Sequence, residues 1–112
     1  MQIIYSLEAQ EGPNPHQVSA RPLHQSEHVQ VTMVTLQPGE SLKLHSTPVD
    51  VFFYILEGGG IVEIGGEQQE VSRDMLVVSP ARIPHRLMNP SEEVFRFLVV
   101  KTPAQKEKTR IL

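Results

Sequence analysis

No window of 11 or more residues in this chain sets apolar side chains at the i, i+3, i+4 spacing by which a helix buries one face. That absence removes helical bundles and α/β layers and leaves strands. Strand signals are frequent. Val29 to Leu36 (Val-Gln-Val-Thr-Met-Val-Thr-Leu) is rich in β-branched residues and puts Val29, Val31 and Met33 on one face. Pro38-Gly39 then marks a turn, and Ser41 to His45 alternates Leu42 and Leu44 against Ser41, Lys43 and His45. Val51 to Leu56 is apolar on both faces, which predicts a central strand covered on both sides.

The later turns are equally regular. Gly58-Gly59-Gly60 breaks the apolar strand, and Ile61 to Ile64 follows. Gly65-Gly66 is a two-residue hairpin signal, because both positions of a type I′ turn need positive φ. Gln68 to Val71 is the return strand. Met75 to Val78 ends at Pro80, His85 to Met88 closes at Asn89-Pro90-Ser91, and Val94 to Val100 is the last strong strand. Seven or more short strands at hairpin spacing predict an all-β sandwich or barrel. Residues 1–28, with His16, His24, His28, Pro13, Pro15 and Pro22, read as an edge strand and loop segment.

Composition narrows the function classes. The chain has 112 residues, enough for one domain with a core of its own. It has no cysteine, so thiolate metal sites, disulfides and cysteine nucleophiles are out. Residues 1–100 carry six Lys/Arg against twelve Asp/Glu, an acidic body that argues against nucleic acid as a partner. Residues 101–112 carry Lys101, Lys106, Lys108 and Arg110 against Glu107, and read as a solvated, polar, basic C-terminal tail. The longest apolar run, Val51 to Leu56, is too short for a bilayer, which needs about 20 residues in a helix, so no membrane partner is expected. The N-terminus lacks the basic and apolar regions of a signal peptide, and a cytoplasmic location is the expectation.

Two stretches resemble the paired motifs of the cupins. From Gly39, five residues lead to His45, and Phe53-Tyr54-Ile55-Leu56-Glu57-Gly58 resembles the strand and turn that end the first motif. In Asp74 to Asn89, residues Pro80, His85 and Asn89 stand at the spacing of the second motif, approached by Ile83-Pro84. The resemblance spans residues 29–100 and implies a small double-stranded β-helix, a cupin or jelly-roll-like barrel. Homodimers are common in that family, and the N-terminal segment would fit a dimer edge. Carried over position by position, the family's four metal ligands become His45, Thr47, Val51 and His85, and its two second-motif glycines become Asp74 and Arg82.

The resemblance also implies a divalent ion (Zn, Fe, Mn or Ni) held by His45 and His85. Asp50 is adjacent to the glutamate position and would supply a carboxylate only through a bulge. Two histidines are few for a tight site. Three readings of the pair stay open: a reduced metal site, histidines contacting an organic ligand, and buried structural histidines. His24 is a further candidate ligand from the N-terminal segment. Thr47, Arg82, Met33 and Phe53 are candidate contacts for a small-molecule ligand; Arg82 or Arg96 would offer a fork to a carboxylate if it pointed inward. The expected function is a small-molecule-binding barrel with a reduced site. A sensing module without catalysis and a filled structural barrel are the rivals.

Overall fold

A computed structural model describes all 112 residues. The strands are β1 (Ser19–Gln25), β2 (Gln30–Leu36), β3 (His45–Ser46), β4 (Asp50–Glu57), β5 (Gly59–Ile64), β6 (Glu67–Ser72), β7 (Leu76–Ser79), β8 (His85–Met88), β9 (Phe95–Thr102) and β10 (Arg110–Ile111). A single 3-10 turn, Ser6–Glu8, is the only helical element. One antiparallel sheet runs β1-β2-β9-β4-β7 and the other β10-β3-β8-β5-β6. The two sheets form the double-stranded β-helix that the motif resemblance implies, within the sandwich-or-barrel class that the turn spacing predicts. No helix is long and apolar enough to cross a membrane.

The backbone explains how the motifs tolerate their changed residues. Asp74 (φ 70°) and Arg82 (φ 66°), which replace the second motif's glycines, keep a left-handed backbone. That conformation is uncommon for residues with a Cβ. The turn geometry therefore outlasts the loss of glycine. Gly65 and Gly66 adopt the positive φ of the expected hairpin, with Ile64 opposite Glu67.

The triple glycine differs from expectation. Only Gly58 makes the break; Gly59 and Gly60 already belong to β5. Gly60 is required by packing: a Cβ there would lie 2.4 Å from the Met88 carbonyl oxygen and 2.5 Å from the Phe95 ring. The strand passes over an aromatic floor that leaves no room for a side chain.

The inward face of β2 is the second difference. Val34 and Leu36 join the core, and Thr32 and Gln30 continue the same row toward a cavity. Met33 is fully buried but on the opposite, outer face, where Arg96 Nη1 lies 3.3 Å from its sulfur. The alternation sets Val31 and Met33 on one face, and that face turns out to be the outer one, with Met33 buried there. β4 is central as expected, between β9 and β7, with Val51, Phe53 and Ile55 inward.

β9 also runs further than the sequence pattern suggests. It continues to Thr102, so Lys101 is a strand residue opposite Gln30 and Val51, not part of a solvated tail. The end of the chain returns as β10 and pairs with β3, Ile111 opposite His45.

Candidate functional site

The barrel interior is packed at one end and open at the other. Four facing pairs across β2 and β9 record the change: Leu36 with Phe95, Val34 with Phe97, Thr32 with Val99, and Gln30 with Lys101. At the packed end Leu36, Ile55, Leu87, Phe95 and Phe97 have no exposed surface. Asn89, the last residue of the second motif, seals that end by donating to the carbonyls of Leu36 (3.0 Å) and Glu93 (2.8 Å). Its role is to satisfy buried backbone. At the open end the smaller and more polar side chains leave a cavity of about 500 Å³.

Aromatic rings run in a column from the floor to the mouth. Phe95 contacts Phe97, Phe97 contacts Phe53, and Phe53 contacts His85, with centroids 5.1, 6.1 and 5.3 Å apart. His85 then meets His45 at 4.5 Å, and His45 meets His16 at 4.6 Å, both edge-on. Edge-to-face contact is the favoured geometry for such rings.

The hydrogen bonds of the two central histidines define their tautomers. His45 Nδ1 lies 2.6 Å from the Lys43 carbonyl oxygen, which can only accept, so Nδ1 carries the proton. In the neutral ring Nε2 is then an acceptor. His85 Nε2 lies 3.1 Å from it and donates. His85 Nδ1 accepts from Ser79 Oγ at 2.6 Å. Thr47 Oγ1, 3.3 Å from His85 Nε2, is a longer second contact. The chain Ser79 to His85 to His45 to Lys43 satisfies every ring nitrogen while both rings stay neutral. Burial is the main cause that keeps them neutral: it pushes His85 down to about 3, helped by the neighbouring His45 and Lys101, and lowers His45 as well. A proton added to the pair would leave two N–H groups facing each other at 3.1 Å.

His16 closes the mouth. The Asn14 side chain folds its loop, donating to the Val18 carbonyl at 2.7 Å and accepting from the His16 N–H at 3.1 Å. His16 Nδ1 accepts from the Lys43 N–H at 2.9 Å. Burial and the neighbouring His45 push its pKa down to about 4. Lys101 lines the cavity wall, and burial lowers its ammonium below the usual lysine range. Its Nζ donates to Gln105 Oε1 at 2.6 Å.

His45, His85, Thr47 and Phe53 therefore come together in the cavity, and Val51, at the family's glutamate position, lines the same wall. The other candidates do not join them. Asp50 is exposed, because Val51 takes the inward position and alternation turns its neighbour out; its carboxylate accepts from the Ala81 N–H at 2.9 Å and braces a loop. Arg82 points to solvent, its side chain 68% exposed, and pairs with Glu107 at 3.7 Å. Met33 and Arg96 sit on the outer face, Arg96 paired with Glu57 at 3.0 Å. His24 is exposed on β1. His16 and Lys101 escape a reading of the sequence. The Pro13-Asn14-Pro15 turn is the available signal for His16. For Lys101 it is the alternation Phe95, Phe97, Val99, carried one step further.

Cupins often bind metal ions, but this donor set does not fit a resident divalent cation. No group of three or more His, Cys, Asp or Glu side chains is arranged to hold a metal ion; His16 adjoins His45, but its Nδ1 is taken by the Lys43 N–H. The two Nε2 atoms offer no anionic ligand, and an ammonium shares the cavity. Structural and catalytic sites normally supply three or four protein ligands. What the arrangement offers is a polar anchor on an apolar wall: a neutral, internally hydrogen-bonded imidazole pair with an ammonium beside it.

A family model described as "Cupin domain" matches residues 32–101. No curated protein matches the chain. Among solved structures, TT1209 from Thermus thermophilus is 32% identical, with a TM-score of 0.76 over 89% of this chain and 96% of that one. The polyketide cyclase RemF from Streptomyces resistomycificus is 20% identical, with a TM-score of 0.85 over 100% and 85%. A predicted oxalate decarboxylase from Thermotoga maritima is 19% identical, with a TM-score of 0.81 over 91% and 99%. The last two likenesses speak for the fold alone. With the family match covering both motifs and most of the barrel, this chain belongs to the cupin family.

Proposed function

We propose that the protein binds a small organic molecule in the open half of its barrel, against His45 and His85, without a resident metal. The observation that carries this is the cavity itself: about 500 Å³, walled by Val34, Val51, Phe53 and Val99 and anchored by two neutral histidines. Ligand sites are typically concave, mostly apolar and furnished with a few placed polar groups. A filled structural barrel would have no reason to taper from phenylalanine to threonine, glutamine and lysine along two facing strands. The reading is tested by thermal-shift screening of a metabolite set against the native chain and a Val99→Phe variant that fills the cavity. Ligands are expected to raise the melting temperature of the native chain only. Equal responses in both proteins, or none in either, would count against a container. Metal analysis of the purified protein bears on the second half of the proposal: stoichiometric metal lost in His45→Ala and His85→Ala would overturn it.

We further propose a homodimer through the outer face of the β1-β2-β9-β4-β7 sheet. Leu76 and Val78 on that face are 56% and 68% exposed, beside half-buried Phe52, Tyr54 and Leu98. The N-terminal Ile3, Ile4 and Tyr5 are exposed as well. Two apolar surfaces on one chain, a sheet face and an arm, are both covered by a second copy. Sedimentation equilibrium is expected to give a dimer for the native chain and a monomer for Leu76→Glu/Val78→Glu; a native monomer overturns the assignment.

A further inference from the structure

We infer that the molecule bound in this barrel is a small organic monoanion, a carboxylate on an apolar body, and that Lys101 is the residue that reads its charge. The inference rests on the container reading above and goes beyond it by naming the ligand class.

Three observations carry it. The chain as a whole is acidic, with a net charge of −3, yet no Asp or Glu lines the cavity. The formal charges there are the ammonium groups of Lys101 on the wall and Lys108 at the rim. Second, Lys101 faces inward by register, in the row Phe95, Phe97, Val99, and no carboxylate lies within ion-pair distance of it. Its one protein hydrogen bond goes to a neutral amide oxygen, Gln105 Oε1. An ammonium has three donors. Two are left for something the protein does not supply. Taking a cation out of water without a counter-ion is costly, and the cost is recovered when a bound anion pairs with it. Third, the histidine column beside it is neutral but proton-poor: His85 and His45 are held in the uncharged form with an ammonium nearby. Because the two rings are uncharged, the ammonium is the one inward charge that a bound anion would answer.

The charge count sets the class. One inward ammonium balances one negative charge. A phosphate monoester, at roughly −1.5 to −2, calls for more donors than this wall has. The surrounding surface is valine and phenylalanine, so the body of the ligand is apolar. Cations and free divalent metals are repelled by the same ammonium.

Calorimetric titration with three shape-matched probes tests this: 1-naphthoate, the neutral 1-naphthamide and the cationic 1-naphthylmethylamine. The native chain is expected to bind the carboxylate roughly 10- to 100-fold more tightly than the amide, the usual worth of a hydrogen bond to a charged group. The amine should bind weakest. Lys101→Met should bring carboxylate and amide to parity while still binding the amide; Lys101→Gln serves if the methionine variant does not fold. Lys108→Met at the rim should keep the preference. Equal binding of carboxylate and amide by the native chain, or a preference that survives loss of Lys101, overturns the inference and leaves the container reading standing. Failure of all three probes to bind the native chain overturns both.

Discussion

The two ends of this barrel are built on the same strands and obey opposite rules. Toward Leu36 and Phe95 the interior is a close-packed core, sealed by Asn89 and by a β5 strand that must be glycine at position 60. Toward Gln30 and Lys101 the same two strands line a cavity with a buried proton chain and an ammonium. Backbone geometry does not distinguish the ends, since the register is continuous from Leu36–Phe95 to Gln30–Lys101. Side-chain volume and polarity along one inward row do. Stability is therefore concentrated at one end, and the capacity to hold a ligand at the other.

That division can be broken from either side. Phe97→Ala at the packed end is expected to cost about 3–5 kcal/mol, because the ring contacts both Phe53 and Phe95 and leaves a void when removed; urea unfolding measures it, and a loss no larger than that of an open-end variant would erase the contrast. Gly60→Ala should cost about 1–3 kcal/mol by overpacking, since the new methyl would meet the Met88 carbonyl and the Phe95 ring. The same unfolding curve reads it, and a neutral result would mean that β5 can move off its floor. Val99→Ala, one inward step from Phe97 but on the cavity wall, should cost only about 1 kcal/mol.

The smallest effect near neutrality is the pH dependence. His16, His45 and His85 are held below the ordinary histidine value of 6.5, so the unfolded chain takes up protons first as pH falls. The folded state keeps its full contribution from these groups above 6.5 and loses it progressively as pH falls toward about 4 and about 3, the values of His16 and His85. The urea midpoint should decline between about pH 7 and about pH 5, and the decline should be shallower in His45→Gln/His85→Gln. A native chain whose midpoint is flat across that range would show that these rings are not held neutral.

Much of the fold is legible because it is written in short-range patterns. Gly65-Gly66 dictates a hairpin by itself, and the continuous apolar run Val51 to Leu56 dictates a central strand, although only its Val51, Phe53 and Ile55 face is fully buried. The motif resemblance brings His45 and His85 to a common site, and the structure pairs them directly, β3 against β8. The site is legible only in part. Asp50 stands next to the glutamate position and Arg82 at a glycine position of the second motif, but alternation and a left-handed turn send them outward. Met33 reads as a cavity residue yet lies on the outer face, because β2 is apolar on both sides and its pattern does not say which one turns inward.

What the sequence determined alone is the all-β class, the turns and the alternation of faces along each strand, since each depends on residues within a few positions of one another. Lys101 reads as part of a solvated tail; only the extension of β9 to Thr102 puts it in the row of Phe95, Phe97 and Val99. Which rows meet across the barrel was left to the tertiary structure. It brings His16 from an Asn14-folded loop onto His45, sets His85 Nε2 against His45 Nε2, and leaves Lys101 without a carboxylate. Those facts join residues 29, 40 and 56 positions apart in the chain, comparing His16 with His45, His45 with His85 and Lys101 with His45. No local propensity acts over such separations. Only the packing of one sheet on the other decides which groups share a cavity, and therefore which charges go unanswered there.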